Sequence, residues 1–358
     1  MSATLVFPAL GQAARDYHAA AQARGERLVA ASSVRDSTME AIFSTMHLLP
    51  YVHEDDFSEK FLKLIEREGI ARVFAPVASV HAFLEQFIRQ HQLETTLVGA
   101  SPIRAQVEVY RDLLMRAEAA SEWMRHLCDD AALLPARTVI AAAIRHYSLI
   151  YGESNDDKLA AMMAIFTSAP KGDVVEIGSL MGKSLSVLLF MAQRFATGAV
   201  LSVDPLAPSH SKHQDPQAAL MSSMDAHWDY DILREALAMN LLPAASGDFN
   251  YLRLPSKQGY EHYCSSPMVS SEEFGAVNYC GRIAVLHIDG NHDMEQVSLD
   301  ASLWPQRLAP GGWLILDDYL WAHGDGPMRV GDQLLSAHSD QIARSFVCGK
   351  ALFVQWTG

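Results

Sequence analysis

The sequence is short of basic residues, of cysteine and of long apolar runs. Lysine and arginine number 28 against 42 aspartates and glutamates, a formal net charge of -14. A nucleic-acid footprint needs a basic face, so DNA and RNA are not expected partners. The four cysteines, Cys128, Cys264, Cys280 and Cys348, show no metal-ligand spacing and read as reduced thiols. No apolar run reaches the roughly 18 residues of a membrane span, so no membrane partner is expected. The N-terminal stretch lacks a basic region followed by a long apolar one, which predicts no signal peptide and a cytoplasmic location. No internal repeat is visible. What the chain does have is length and apolar content: 358 residues, 49% hydrophobic. Single cores stop growing near about 250–300 residues, so two domains are expected.

Residues 1–125 alternate strand and helix. Strands are expected at 4–8, 27–31, 46–52, 70–76 and 95–98, with helices at 12–24, 57–68 and 80–91. Gly25 and Gly69 are the stop signals of the first two helices. This is a small parallel α/β domain. Gly11 sits at its first strand-to-helix turn, but one glycine is no nucleotide fingerprint. Residues 126–168 read as a helical linker, and residues 169–358 as a second α/β domain.

In the second domain five short apolar runs read as buried strands: 173–177, 199–203, 250–254, 283–288 and 313–316. A terminal hairpin is expected over 345–348 and 351–356, turned at Gly349-Lys350. A glycine turn, Gly178-Ser179-Leu180-Met181-Gly182-Lys183-Ser184, leads from the first strand into a helix over 185–195. It is not the phosphate loop of nucleotide triphosphatases, whose first glycine position is held by Ile177. The dinucleotide pattern is incomplete too, because position 180 is Leu180. The second strand ends in Asp204, placed to accept hydrogen bonds from ribose hydroxyls. The fourth ends in Asp289 and the fifth in Asp317-Asp318. Ligand sites lie beyond the carboxyl ends of such strands. Three carboxylates there, if uncompensated, would repel, and a divalent cation is a simple remedy.

Seven strands closed by a hairpin resemble the class I S-adenosylmethionine-dependent methyltransferases, a Rossmann-like fold. The turn from Glu176 to Ser184 resembles that family's cofactor loop. Asp289, Asp317 and Asp318 resemble the metal ligands of its Mg-dependent O-methyltransferases. The stretch Leu286-His287-Ile288-Asp289-Gly290-Asn291-His292 looks most like the branch acting on sugars of macrolide antibiotics. There a histidine three residues beyond the first aspartate is the general base, the position of His292. Members of the branch commonly have aspartate where this chain has Asn291.

The resemblance implies S-adenosylmethionine and Mg²⁺ as cofactors, with Mn²⁺ an alternative. It implies Glu176 anchoring the loop, Gly178, Ser179 and Ser184 at the cofactor's amino-acid end, Asp204 on ribose and Ser256 near adenine. The expected reaction is methyl transfer to a hydroxyl of a small polyhydroxylated substrate, a sugar or glycosylated natural product. Tyr319, Trp321 and His323 are candidates for a substrate wall, and the long connections 205–248 and 257–282 for loops over the site. Metal-independent N- or C-methylation and a catalytically inactive binding role are the alternatives. The stretch from Glu66 to Pro76 looks like the small domain preceding the nucleotide-grasping part of ATP-grasp ligases. No grasp portion follows, so ligase activity is not implied. An accessory or oligomer-forming role for residues 1–125, and hence a homo-oligomer, is expected.

Overall fold

The computed structural model describes residues 2–43, 45–214, 223–224 and 227–357. It divides into two compact units, Met1–Asp112 and Leu113–Gly358.

The first unit holds a five-stranded parallel sheet. Its strands are β1 (Ala3–Val6), β2 (Leu28–Ser32), β3 (Met46–Leu48), β4 (Ile70–Phe74) and β5 (Thr96–Leu97), in the order β3-β2-β1-β4-β5. Helix Phe57–Glu68 ends where expected, because Gly69 takes the left-handed conformation that closes it. Its apolar face seats Phe57, Phe61 and Leu64 in a core with Leu5, Phe7, Val73, Leu84 and Phe87. Sequence reading passed over one short helix, Ser37–Ile42, capped by the Asp36 carboxylate on the Thr38 and Met39 amides.

The second unit holds a seven-stranded sheet. Its strands are β6 (Asp173–Ile177), β7 (Val200–Val203), β8 (Phe249–Leu252), β11 (Ile283–Ile288), β12 (Leu308–Leu316), β13 (Ile342–Cys348) and β14 (Ala351–Trp356). The order is β13-β14-β12-β11-β6-β7-β8. β14 runs antiparallel to both of its neighbours, and the other pairs are parallel. A separate two-stranded hairpin pairs β9 (Met268–Ser271) with β10 (Gly275–Asn278). The turn between β13 and β14 falls at Gly349 and Lys350, both at positive φ, which fits a two-residue hairpin loop.

Strand residues alternate between two cores, so both faces of this sheet are covered. Val174, Val200, Val285 and Ile315 face one layer, with helices Arg137–Tyr147, Asp156–Ile165 and Lys183–Phe195. Val175, Leu201, Leu286 and Leu314 face the other, with Val297, Trp304 and Val330. No described helix is long and apolar enough to cross a membrane.

Candidate active site

Four strand ends form a stepped ladder. The Gly178 amide donates to the Val203 carbonyl and the Asp204 amide to Leu252. The Asp289 amide donates to Ile177 and the Asp317 amide to Ile288. Backbone pairing therefore continues one residue past each strand, then stops, and the residues that follow line one cavity of about 310 Å³. That volume is within the range of small-molecule sites. Gly178, Ser179, Ser184, Asp204, Ser256, Asp289, His292, Asp317 and Asp318 all line it.

The loop after β6 is fixed largely from within. A Cβ on Gly178, at φ +80°, would stand 2.2 Å from the Asp289 carbonyl oxygen. Glycine is thus required there for the close approach of the β11 end, whatever ligand binds. Glu176 is wholly buried, and its Oε1 accepts from Ser184 Oγ and pairs with His287 Nδ1, each at 2.7 Å. It ties the helix after the turn to β11. Ser179 Oγ pairs with Ser202 Oγ at 2.7 Å. Asp204 accepts the amides of Ser179 (2.7 Å), Leu180 (3.2 Å) and Leu206 (2.8 Å). Burial raises its pKa, and those amides only partly offset it. Ser256 Oγ accepts from Trp304 Nε1 at 2.9 Å. These polar side chains shape the cavity wall and already have protein partners.

The acidic cluster is compensated by two lysines that sequence reading missed. Lys158, on helix Asp156–Ile165, is 0% exposed. Its Nζ contacts Asp317 Oδ2 closely and lies 3.4 Å from Asp289 Oδ2. Lys350, from the hairpin turn, puts Nζ 2.8 Å from Asp318 Oδ1. The three carboxylates are therefore not an uncompensated group, and repulsion alone does not demand a metal. Burial works against every charge here. It raises the Asp289 carboxyl, with help from the charge of Asp317, whereas Lys158 holds Asp317 well below the usual carboxylate range.

Nor do the three aspartates form a single set. The potential ligand atoms converge within 4.8 Å in two triads, His287–Asp289–Asp317 and Asp289–His292–Asp318. Asp289 belongs to both. Asp318 sits at φ 49°, and this turn separates it from its neighbour, Asp317 facing Lys158 and Asp318 facing His292. A divalent cation fits the two carboxylates of the second triad, Asp289 and Asp318, beside His292. Both ring nitrogens of His292 are buried without a well-formed hydrogen bond.

His292 Nε2 lies 3.3 Å from Asp318 Oδ2 and 3.9 Å from Asp289 Oδ1. Burial alone would lower its pKa, but the two carboxylates win and raise it. Its ring packs against Trp321 at 4.7 Å and His213 at 5.4 Å. Of the expected substrate wall, Trp321 lines the cavity and His323 stands behind it, 5.6 Å away. Tyr319 instead turns its hydroxyl to Asp332 at 2.7 Å. The connection 205–248 contributes His213, Met224, Trp228 and Tyr230 to the lining; its residues 215–222 and 225–226 lie outside the described residues. The connection 257–282 folds into helix Ser256–Ser265 and the β9–β10 hairpin.

Residues 175–319 match the family described as "Methyltransferase domain". The match lies within the second unit and runs from β6 to just past the end of β12 in its Rossmann-like sheet. No curated protein matches the sequence. Among solved structures, the chain is similar to the O-methyltransferase NovP at 16% identity, over 56% of this chain and 80% of that one, with a TM-score of 0.42. It is similar to the calicheamicin methyltransferase CalS11 at 10% identity, over 73% and 95%, with a TM-score of 0.40. For the mycinamycin-pathway methyltransferase MycE, solved with Mg and SAH, the values are 13%, 60% and 52%, and 0.38.

Proposed function

We propose that the chain transfers a methyl group from S-adenosylmethionine to a hydroxyl of a small polyhydroxylated acceptor, a sugar or glycosylated natural product. One observation carries this reading. His292, flanked by Asp289 and Asp318, faces the same cavity as the Gly178 turn and Asp204. A proton acceptor and a cofactor-type loop then serve one space.

In this reading the turn from Gly178 to Ser184 takes the amino-acid end of the cofactor, Asp204 the ribose, and Ser256 the neighbourhood of the adenine. Bound S-adenosylmethionine supplies an electrophilic methyl group. A divalent cation, Mg²⁺ or Mn²⁺, held by this acidic cluster would lower the acceptor's pKa. With the donor's methyl group transferred to the acceptor oxygen, His292 Nε2 would take the hydroxyl proton. Trp321 packs against that base, and Trp228 and Tyr151 add aromatic rings to the same cavity lining.

The first unit is proposed as an accessory or oligomer-forming domain; the helices Arg137–Tyr147 and Asp156–Ile165, expected in a linker, pack in the core of the second unit. Among the described residues both convergent ligand triads lie in the second unit, which supports that division of labour. Light scattering on the intact chain tests the oligomer.

The functional test is a methyl-transfer screen of hydroxylated acceptors with Mg²⁺, with and without chelator. Product methylated on oxygen, lost with chelator, is the expected result. Transfer to nitrogen or carbon that survives chelation would replace this reading with the metal-independent one.

A further inference from the structure

We infer that Lys158 is a built-in cation of this site: it holds Asp317 and one edge of Asp289, and confines a divalent ion to the Asp289 and Asp318 oxygens that it leaves open, beside His292. The inference rests on the proposal that the cavity takes a divalent ion, and it narrows which residues hold it.

The ammonium of Lys158 is completely buried, an arrangement proteins tolerate only when the charge is paired. Its partners are the two carboxylates that a metal would otherwise bridge, Asp289 and Asp317. Helix packing fixes the lysine there. Every residue from Lys158 to Ile165 is buried, and Asn155 caps the helix by accepting the Lys158 amide at 2.9 Å. The hairpin turn closes over the same helix start: a Cβ on Gly349 would stand 2.6 Å from the Lys158 backbone nitrogen. The side chain therefore has little freedom to withdraw. A divalent ion between Asp289 and Asp317 would have to share two oxygens with a fixed positive charge in a medium of low dielectric.

The other face is different. Asp289 Oδ1 and Asp318 Oδ2 point toward His292 rather than toward Lys158. Lys350 also pairs with Asp318, but through Oδ1, and its side chain is 36% exposed, so it can move aside into solvent. The structure thus separates a closed, lysine-filled carboxylate pair from an open one. The signal present in the sequence is a single lysine, after Asp156-Asp157, at the head of an apolar helical stretch, Lys158-Leu159-Ala160-Ala161-Met162-Met163-Ala164-Ile165.

The test is a Mn²⁺ titration followed by electron paramagnetic resonance on the intact chain, with circular dichroism and S-adenosylmethionine calorimetry as checks on folding. The wild type should bind one ion. Asp318→Asn should weaken binding at least tenfold, and Asp317→Asn by less than threefold. Lys158→Met should tighten binding at least tenfold, because it frees a second pair of carboxylates. Equal losses for Asp317→Asn and Asp318→Asn would overturn the inference; that comparison stands even if Lys158→Met does not fold. A folded Lys158→Met variant that binds no more tightly than wild type would overturn it as well. Binding by Lys158→Met but not by wild type would retain the role of Lys158 and remove the metal from the proposed function. Binding by neither would overturn both.

Discussion

The two sheets of this chain share a layout and differ in what stands at their strand ends. Both place a central parallel pair, β1–β4 in one and β6–β11 in the other, where the winding direction reverses. Such a reversal opens a crevice suited to ligands. In the first sheet the residues beyond that pair are Phe7-Pro8-Ala9 and Ala75-Pro76-Val77. In the second they are Gly178-Ser179, Asp289-Gly290 and, on the next strands, Asp204 and Asp317-Asp318. The comparison teaches that topology supplies a place and side chains supply the chemistry. The second sheet also accommodates buried charge. Lys158, Glu176, Asp317 and Asp318 are all below one tenth exposed, each held by a partner from another element.

Perturbing the strand ends should separate the two sheets. The largest effect is expected from Gly178→Ala, which drives a methyl group into the Asp289 backbone at a positive φ. A loss of more than about 4 kcal/mol is expected, comparable to the largest core substitutions, read by denaturant unfolding. A near-neutral result would mean that the β6 and β11 ends are farther apart than described.

Asp289→Ala should come next, lowering turnover about 10³-fold while calorimetry finds S-adenosylmethionine affinity within about threefold. Comparable losses of affinity and turnover would make Asp289 a support of the loop instead.

A third effect depends on pH. Asp300 is buried beside Ser256, and burial raises its pKa to about 6, partly offset by hydrogen bonds from Ser256 and Gln296. The unfolded chain therefore releases this proton first. Stability falls as pH rises from about 4 to about 6 and stays reduced above that, by up to about 3 kcal/mol. Asp300→Asn should gain thermal stability relative to wild type at pH 7.5 but not at pH 4.5. An equal change at both values would contradict the assignment.

Arg72→Ala, in the first sheet, should have the smallest effect. Its exposed pairing with Glu26 is expected to add little to stability, read by denaturant unfolding, with turnover unchanged. A tenfold loss of turnover would remove the contrast between the sheets.

Legibility in the sequence followed the range of the interaction. Apolar runs ending in glycine or acid located β6, β7, β11 and β12, because burial on both faces leaves a continuous pattern and the ladder stops where polarity returns. The Gly349-Lys350 turn was legible for a local reason, the two-residue loop a tight hairpin needs. The pairings that decide the site's electrostatics were not. Lys158 meets Asp289 and Asp317 from 131 and 159 residues away. Asp204, proposed for ribose, also accepts the Ser179 and Leu180 amides through Oδ2, a pairing between strand ends. Tyr319 looked like a wall residue because it follows the aspartates, but its partner lies on the helix Gly326–Ala337.

In the proposed reaction, His292 removes the proton from an acceptor hydroxyl in the cavity that takes the methyl donor. The most direct test compares wild type with His292→Ala in single-turnover methyl transfer to a hydroxylated acceptor, with S-adenosylmethionine affinity measured in parallel. The expected rate for His292→Ala is at least about 10²-fold lower, with affinity unchanged. Equal rates in the two proteins would contradict it.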